Sequence, residues 1–179
     1  MKCYLRRMRS KDACPPRKPL KKIVWSWLGA FVGIFLVASL GQMLGPAQMF
    51  IIGSFGASAV LIYGAPMAEF SQPRNLIFGN LISAVIGVSV YLLCGNNIVL
   101  ASALAVSLAI AAMHLSRTMH PPAGAAALIA VIGGDTVHSL GYQYALTPVL
   151  TGSLVLLLVA LLVNNLSSNP KRHYPRYWI

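Results

Sequence analysis

The chain has 179 residues, of which 57% are hydrophobic and only 9% are charged. Soluble domains carry about 25% charged residues, so four charges across residues 23–170 cannot cover the surface of a water-soluble globule. The net charge of +11 comes from cations that flank this apolar block, nine of them in residues 1–22 and three in residues 171–176. Without aromatic and basic residues interleaved in a folded domain, that charge does not indicate nucleic-acid binding.

The basic ends of the chain are typical of cytoplasmic flanks under the positive-inside rule. Residues 1–22 are predicted to be a cytoplasmic tail, because Pro15, Pro16 and Pro19 prevent a continuous helix there. Residues 167–179 are predicted to be a second cytoplasmic tail, rich in basic and aromatic side chains. Between them, residues 23–166 form a single transmembrane domain embedded in the lipid bilayer. The first apolar run is too long for a cleaved signal peptide and is expected to stay as an anchor.

Six apolar segments follow one another in this domain, at residues 23–44, 49–67, 76–94, 98–115, 123–132 and 146–163. A ten-residue helix is about 15 Å long, which is too short for about 30 Å of hydrocarbon. The fifth segment therefore cannot cross as a plain helix, and Gly53 and Gly56 interrupt the second. The sequence predicts an all-α membrane protein in which the second and fifth segments are short or interrupted half-helices.

Those two segments resemble each other, since residues 56–61 align with residues 124–129 at an offset of 68. This favours a 3+3 repeat of about residues 23–94 and 98–165, inverted because three crossings separate the halves. Paired interrupted segments indicate a transporter site near the midplane. The alternative is that small-residue strings match by chance or serve helix packing.

Arg74 and Arg117 test the topology. If all six segments cross, both arginines lie in the cytoplasm with the two tails. If the second and fifth segments only dip into the bilayer, four spans remain and both arginines lie outside. The six-segment topology agrees better with the positive-inside rule.

The run from His114 to Ala125 contains a histidine followed by two prolines. Proline is favoured in the first turn of a helix, and the unpaired N–H groups at a helix start attract anions. His120 changes charge near neutral pH and could bind an anion or carry a proton, although a membrane histidine is often only an interhelical hydrogen bonder. The predicted substrate residues here are His120, Pro121, Pro122, Ala123, Gly124 and Ala125.

The second segment is expected to point another helix start at the same place. Gly56 would let the backbone approach a ligand closely, and Ser54 or Ser58 could donate a hydroxyl hydrogen bond. Two opposed helix starts around Gly56 and Gly124 would suit a small anion, unless the small residues only let helices pack. The predicted substrate residues of this segment are Ser54, Phe55, Gly56, Ala57 and Ser58.

A vestibule or gate is predicted beside these breaks, formed by Glu69, Arg74, Asn75, His114 and Arg117. The two arginines could attract an anion, or they could be orientation markers paired with Glu69 or with carbonyls. No metal or other cofactor is expected, because His114 and His120 are six residues apart and no carboxylate cluster accompanies them. Three carboxylates offer little for acid–base catalysis, so the chain is not expected to be an enzyme.

Three ordered motifs, residues 53–60, 72–75 and 114–125, resemble the HPP family of integral membrane proteins, which is named for the motif found here as His120-Pro121-Pro122. That family is usually described with about four membrane spans, and plant chloroplast members are associated with nitrite transport. The resemblance implies a transporter or channel for a small monovalent anion, with nitrite and a proton as expected partners, in a bacterial plasma (inner) membrane. The alternative is a non-transporting scaffold or sensor subunit, and glycines of the first segment allow a homodimer.

Overall fold

The structure, a computed structural model, describes residues 14–44 and 53–179, and every regular element in that part is helical. Helix α1 is Leu20–Leu44, α2 is Gly53–Gly64, α3 is Asn75–Cys94, α4 is Ile98–Leu115, α5 is Ala123–Ile132, α6 is Gly134–His138 and α7 is Ala145–Leu166. Helices α2 and α3 each contain one π-helical turn, at Val60–Gly64 and Asn75–Gly79. Helix α7 is kinked near its start, where Thr147, the residue before Pro148, has an extended backbone with φ −134° and ψ 112°.

Four of these helices, α1, α3, α4 and α7, are long and apolar enough to cross a membrane, whereas α2 and α5 are shorter apolar helices. The prediction of an all-α protein with membrane-spanning helices is confirmed at this level. The shortness of the second and fifth segments also matches, because α5 has only 10 residues. The inverted 3+3 repeat stays a prediction.

The helices differ from the predicted segments in several places. Helix α1 begins at Leu20, because the carbonyl of Pro19 accepts hydrogen bonds from the amides of Lys22 and Ile23. Helix α7 continues to Leu166. The predicted break at Gly56 is wrong: the α-helix runs through it, and the irregular turn comes later, at Val60–Gly64. Residues 45–52, which include the start of the predicted second segment, lie outside the described residues.

The core forms where small residues let the helices approach. Helix α3 packs against α4 and α5, which also pack against each other, while α1 packs against α7 and α2. A Cβ atom added to Gly87 of α3 would lie 2.5 Å from the carbonyl oxygen of Ala127 in α5. Added to Gly152 of α7, it would collide with the ring of Phe55 in α2.

Four separate stretches of the chain meet at one end of this bundle, which we call the basic end: residues 14–22, 65–74, 116–122 and 167–179. Lys21 donates to the hydroxyl of Ser168 over 3.1 Å, Arg74 donates to the carbonyl of Ser116 over 2.8 Å, and Tyr174 donates to that of Ser71 over 2.8 Å. The connections at the opposite end, residues 95–97 and 133–144, contain no Lys or Arg.

Candidate functional site

A cavity of about 290 Å³ opens at the basic end between the α2–α3 connection and the α4–α5 connection. Its lining residues are Glu69, Phe70, Asn75, Met113, His114, Arg117 and Met119. Four of the five residues predicted for a vestibule therefore surround one space, although the two stretches lie at least 38 positions apart in sequence. The fifth, Arg74, does not line the cavity, because its guanidinium is bound to the carbonyl of Ser116.

The end of α4 places Arg117 at the cavity. The amide of Thr118 donates to the carbonyl of Met113, and the hydroxyls of Ser116 and Thr118 lie 2.6 Å apart. This tight turn requires a positive φ of 56° at Arg117. A left-handed conformation costs a residue other than glycine about 1–2 kcal/mol, so the surrounding hydrogen bonds must offset that cost. As a result the chain folds back and Arg117 is exposed at the cavity.

The lining of the cavity combines exposed charge with a buried polar group. Arg117, His114 and Glu69 are exposed, whereas Asn75 is only 3% exposed. The amide nitrogen of Asn75 donates to the carbonyl of Met119 over 2.8 Å. Its side-chain oxygen has no hydrogen-bond partner within the described part of the chain. A buried unpaired acceptor costs free energy, and a ligand or water that donates a hydrogen bond would remove this cost.

His120 lies directly behind this cavity and is fully buried. Its Nδ1 is 2.8 Å from the carbonyl oxygen of Phe70, a residue that lines the cavity, and its Nε2 is 2.8 Å from the hydroxyl of Ser58 in α2. A carbonyl can only accept, so Nδ1 carries the hydrogen. In the neutral imidazole Nε2 then accepts from Ser58. His120 thus joins the start of α5, the middle of α2 and the cavity wall.

This arrangement changes the expected role of His120. We expected its ring to face an anion, but both nitrogens already have protein partners. The physical reason is that a buried polar group is costly unless it is hydrogen-bonded. An anion could reach the ring only if Ser58 or the Phe70 carbonyl moved away.

The two short helices lie side by side and do not point their starts at each other. Gly53, the first residue of α2, neighbours Ile129 near the end of α5, whereas Ser58 contacts His120 just before α5 begins. The helices are therefore antiparallel, with their starts at opposite ends of the pair. The expectation of opposed helix starts around Gly56 and Gly124 is wrong, because the start of α2 lies beside the last part of α5.

The predicted substrate residues are accordingly divided between the interior and the surface. Buried are Ser54, Phe55, Ser58, His120, Pro122 and Ala123; exposed are Gly56, Ala57 and Pro121; Gly124 and Ala125 are half-buried. A Cβ atom on Gly56 would meet nothing within 4 Å, so no close backbone approach occurs there. Only the Ser58–His120 pair joins the two predicted groups by a hydrogen bond between side chains in the described residues.

Several residues of this region were missed from sequence. Phe70 holds His120 through its backbone carbonyl, which leaves no side-chain signal. Gly79 lets the backbone at Thr118 pack closely, since an added Cβ would lie 2.7 Å from that carbonyl oxygen. Asn80 and Ser83 are fully buried in α3, and each has a side-chain oxygen without a partner in the described residues. Polar residues three apart in an apolar segment were the available signal for this last pair.

Comparison with known proteins agrees with these motifs. A family model, HPP, transmembrane region, matches residues 15–175. The chain belongs to this HPP transmembrane family. It is an integral membrane protein, in agreement with its four long apolar helices.

Two transmembrane proteins of Dictyostelium discoideum are similar to this HPP chain. One is 43% identical over 180 residues, which cover 98% of this chain and 57% of the relative. The other is 44% identical over 173 residues, which cover 94% of this chain and 60% of the relative. The chain thus spans less than two thirds of either relative, and both come from a eukaryote. No solved structure matches the chain.

Proposed function

We propose that this HPP protein transports a small monovalent anion, as a carrier or a channel, and that nitrite is the first substrate to test. The observation that carries the proposal is the cavity at the basic end, where Arg117, His114 and Glu69 surround an opening beside the buried Asn75. A cation beside a cleft raises the local concentration of anions. The family resemblance adds nitrite as the substrate, and the proposal includes no catalytic activity.

The orientation that we propose puts the basic end, and both chain ends with it, in the cytoplasm. All nine Lys and Arg residues of the described part belong to the four stretches that meet there, as the positive-inside rule requires. If α2 and α5 only dipped into the bilayer, residues 65–74 and 116–122 would lie at the end opposite the tails. Their contacts with each other and with the carboxyl-terminal tail favour six crossings. A bacterial plasma membrane stays a prediction.

The packing also supports an inverted repeat as part of this proposal. In such a repeat α1, α2 and α3 of the first half correspond to α4, α5 and α7 of the second half. The contact between α1 and α7 then corresponds to the contact between α4 and α3, and both contacts occur. Likewise α5 is approached by Gly87 of α3 while α2 is approached by Gly152 of α7. Each short helix is therefore approached by a glycine from the third segment of the other half.

The mechanism follows from which groups are free and which are occupied. Arg117 would attract the anion, a ring N–H of His114 could donate a hydrogen bond to it, and protonated nitrite could donate to the unpaired oxygen of Asn75. We propose that further passage requires the Ser58–His120 hydrogen bond to open, since this bond joins α2 to the start of α5. A proton carried with the anion would offset the membrane potential, which opposes anion uptake by about 2.3 kcal/mol per 100 mV.

Flux measurements in proteoliposomes test this proposal. Nitrite uptake is measured with and without a pH gradient for the wild type, Arg117→Gln, and Arg17→Gln as the matched control. Arg17 is an exposed cation near the basic end that does not line the cavity. Removing the charge of Arg117 should lower uptake about two- to fivefold, the range expected for an exposed charge interaction, and Arg17→Gln should not.

Two further variants test the inner pair. Ser58→Ala and His120→Ala both remove the hydrogen bond that joins α2 to the start of α5, so we expect them to change flux in the same direction. If His120→Ala leaves flux unchanged, the proposal that passage requires the Ser58–His120 hydrogen bond to open is wrong. If the purified protein moves neither nitrite nor another small anion, the transport function is wrong and a scaffold or sensor role gains support.

Cysteine labelling tests the orientation independently. In a chain whose own Cys3, Cys14 and Cys94 are replaced by Ser, Met67→Cys puts an exposed thiol in the same connection as Arg74. An impermeant reagent should label it only from the cytoplasmic side. Labelling from the outside would favour the four-span topology.

A further inference from the structure

A second cavity, of about 340 Å³, lies at the basic end between the start of α1 and the tail that follows α7. Its polar and aromatic lining includes Lys18, Lys21, Lys22, Trp25, Lys171 and Arg172. No carboxylate occurs among the described residues that line it. Five like charges around one space repel each other, so a bound anion would stabilise this part of the protein.

Arg172 makes the cavity a built site and not only a cluster of surface lysines. It is 1% exposed, and its guanidinium donates to the hydroxyl of Ser26 over 3.1 Å, to the side-chain oxygen of Asn164 over 2.8 Å and to the carbonyl of Tyr63 over 3.0 Å. All these acceptors are neutral, so none compensates the charge. Burial lowers the pKa of this guanidinium. Its Nε has no partner in the described residues.

The lysines provide donors that a ligand can reach. Lys18, Lys21 and Lys171 are exposed, and Lys22 is half-buried. Lys21 already donates to Ser168, which helps hold the tail beside α1. A phosphate group fits such a set of lysines, because its negative charge attracts their ammonium groups and its oxygens accept hydrogen bonds from several of them at once.

The position of the cavity indicates where that phosphate comes from. Immediately after Lys22, α1 exposes the large apolar side chains of Ile23, Val24 and Trp27, at 42%, 59% and 63%. On a membrane-spanning helix such residues face lipid, and Trp is enriched at the level of the headgroups. The cavity therefore lies where the apolar surface of α1 ends, at headgroup depth. Basic pockets at such positions recognise anionic lipid headgroups.

We propose that this cavity binds the phosphate headgroup of an anionic phospholipid in the leaflet at the basic end. The lipid would connect the start of α1 to the tail after α7. This binding is independent of the proposed transport function, since none of its residues lines the first cavity.

Native mass spectrometry of the full chain in a neutral detergent tests the proposal. Binding of short-chain phosphatidic acid is compared with that of phosphatidylcholine of equal chain length. The test variant is Lys18→Gln/Lys171→Gln, and the control is Arg17→Gln/Arg176→Gln, which removes two charges from the same two segments but none from the cavity lining. We expect phosphatidic acid to bind wild type at least about tenfold more tightly than phosphatidylcholine, and the test variant to lose on the order of tenfold.

Each alternative gives a different result. Equal losses in the test and control variants would mean diffuse attraction to surface charge and would overturn the site. Displacement of phosphatidic acid by an equal concentration of inorganic phosphate would overturn the lipid as the source. Thermal unfolding without lipid shows whether both variants fold. The wild-type comparison needs no variant, and equal binding of the two lipids there would overturn the proposal by itself.

Discussion

The two short helices share a similar Gly/Ala-rich stretch, at residues 56–61 and 124–129, but they are packed against their neighbours in different ways. Helix α2 contributes large aromatic side chains: the ring of Phe55 lies against Gly152, and that of Tyr63 against Gly29 and Gly33 of α1. Helix α5 contributes alanines, and Gly87 comes close to its backbone at Ala127. The neighbours of α2 have glycines where its aromatic rings pack, whereas α5 and its neighbour α3 meet through small residues on both sides. A Gly/Ala-rich string therefore does not by itself determine how a helix is held.

The same comparison explains the glycines of α1. The glycines of the first segment were expected to allow a homodimer, but two of them, Gly29 and Gly33, face Tyr63 of α2 in the same chain. Tyr63 fills the space and donates to the carbonyl of Leu156 over 3.0 Å. A homodimer would thus have to use a different face of α1 from the one that these two glycines form.

The largest effect is expected for Gly87→Ala. The new Cβ would lie 2.5 Å from the carbonyl oxygen of Ala127 and 2.8 Å from the Cβ of Ala130. Because backbone cannot rotate away, we expect a loss of about 3 kcal/mol in the free energy of unfolding, at the upper end for overpacking. Unfolding in mixed micelles measures it. Trimming Ala130 to Gly should not restore stability, and full restoration would show that the backbone contact is not the limiting one.

A smaller loss of stability, which a second substitution should restore, is expected for Gly152→Ala. The new Cβ would collide with the outer ring atoms of Phe55, which leucine lacks. We expect a loss of about 2 kcal/mol, measured by the same unfolding experiment. In the double variant Gly152→Ala/Phe55→Leu most of this loss should disappear, with Phe55→Leu alone as the reference. Without such a recovery, the contrast between the aromatic packing of α2 and the backbone packing of α5 is wrong.

The smallest effect is expected for Gly56→Ala, with Gly124→Ala as its counterpart in α5. A Cβ on Gly56 meets nothing within 4 Å, and one on Gly124 comes no closer than 3.9 Å to Val106. Alanine is the better helix former, so stability should stay the same or rise by up to about 1 kcal/mol. Nitrite flux should also be unchanged. Loss of flux in Gly56→Ala without loss of stability would restore a functional role for this position.

The sequence alone determined much of the fold, because hydrophobic length and charge position are properties of short stretches. The charge-poor block predicted the membrane domain, and the bounds of α4 and α5 match the predicted fourth and fifth segments. It also identified four residues of the first cavity, since polar side chains in an apolar chain are few. The His-Pro-Pro motif indicated the family, which the family model confirms.

Only the tertiary structure decided which of these residues meet. The antiparallel packing of α2 and α5 depends on contacts between residues more than 60 positions apart, such as Ser58 and His120, and no local pattern encodes them. The charge count shows the same limit. Arg172 counted as one more cation of a cytoplasmic tail, yet it is buried between α1, α2 and α7. Position in the sequence predicts the side of the membrane, but burial depends on where the folded helices leave space.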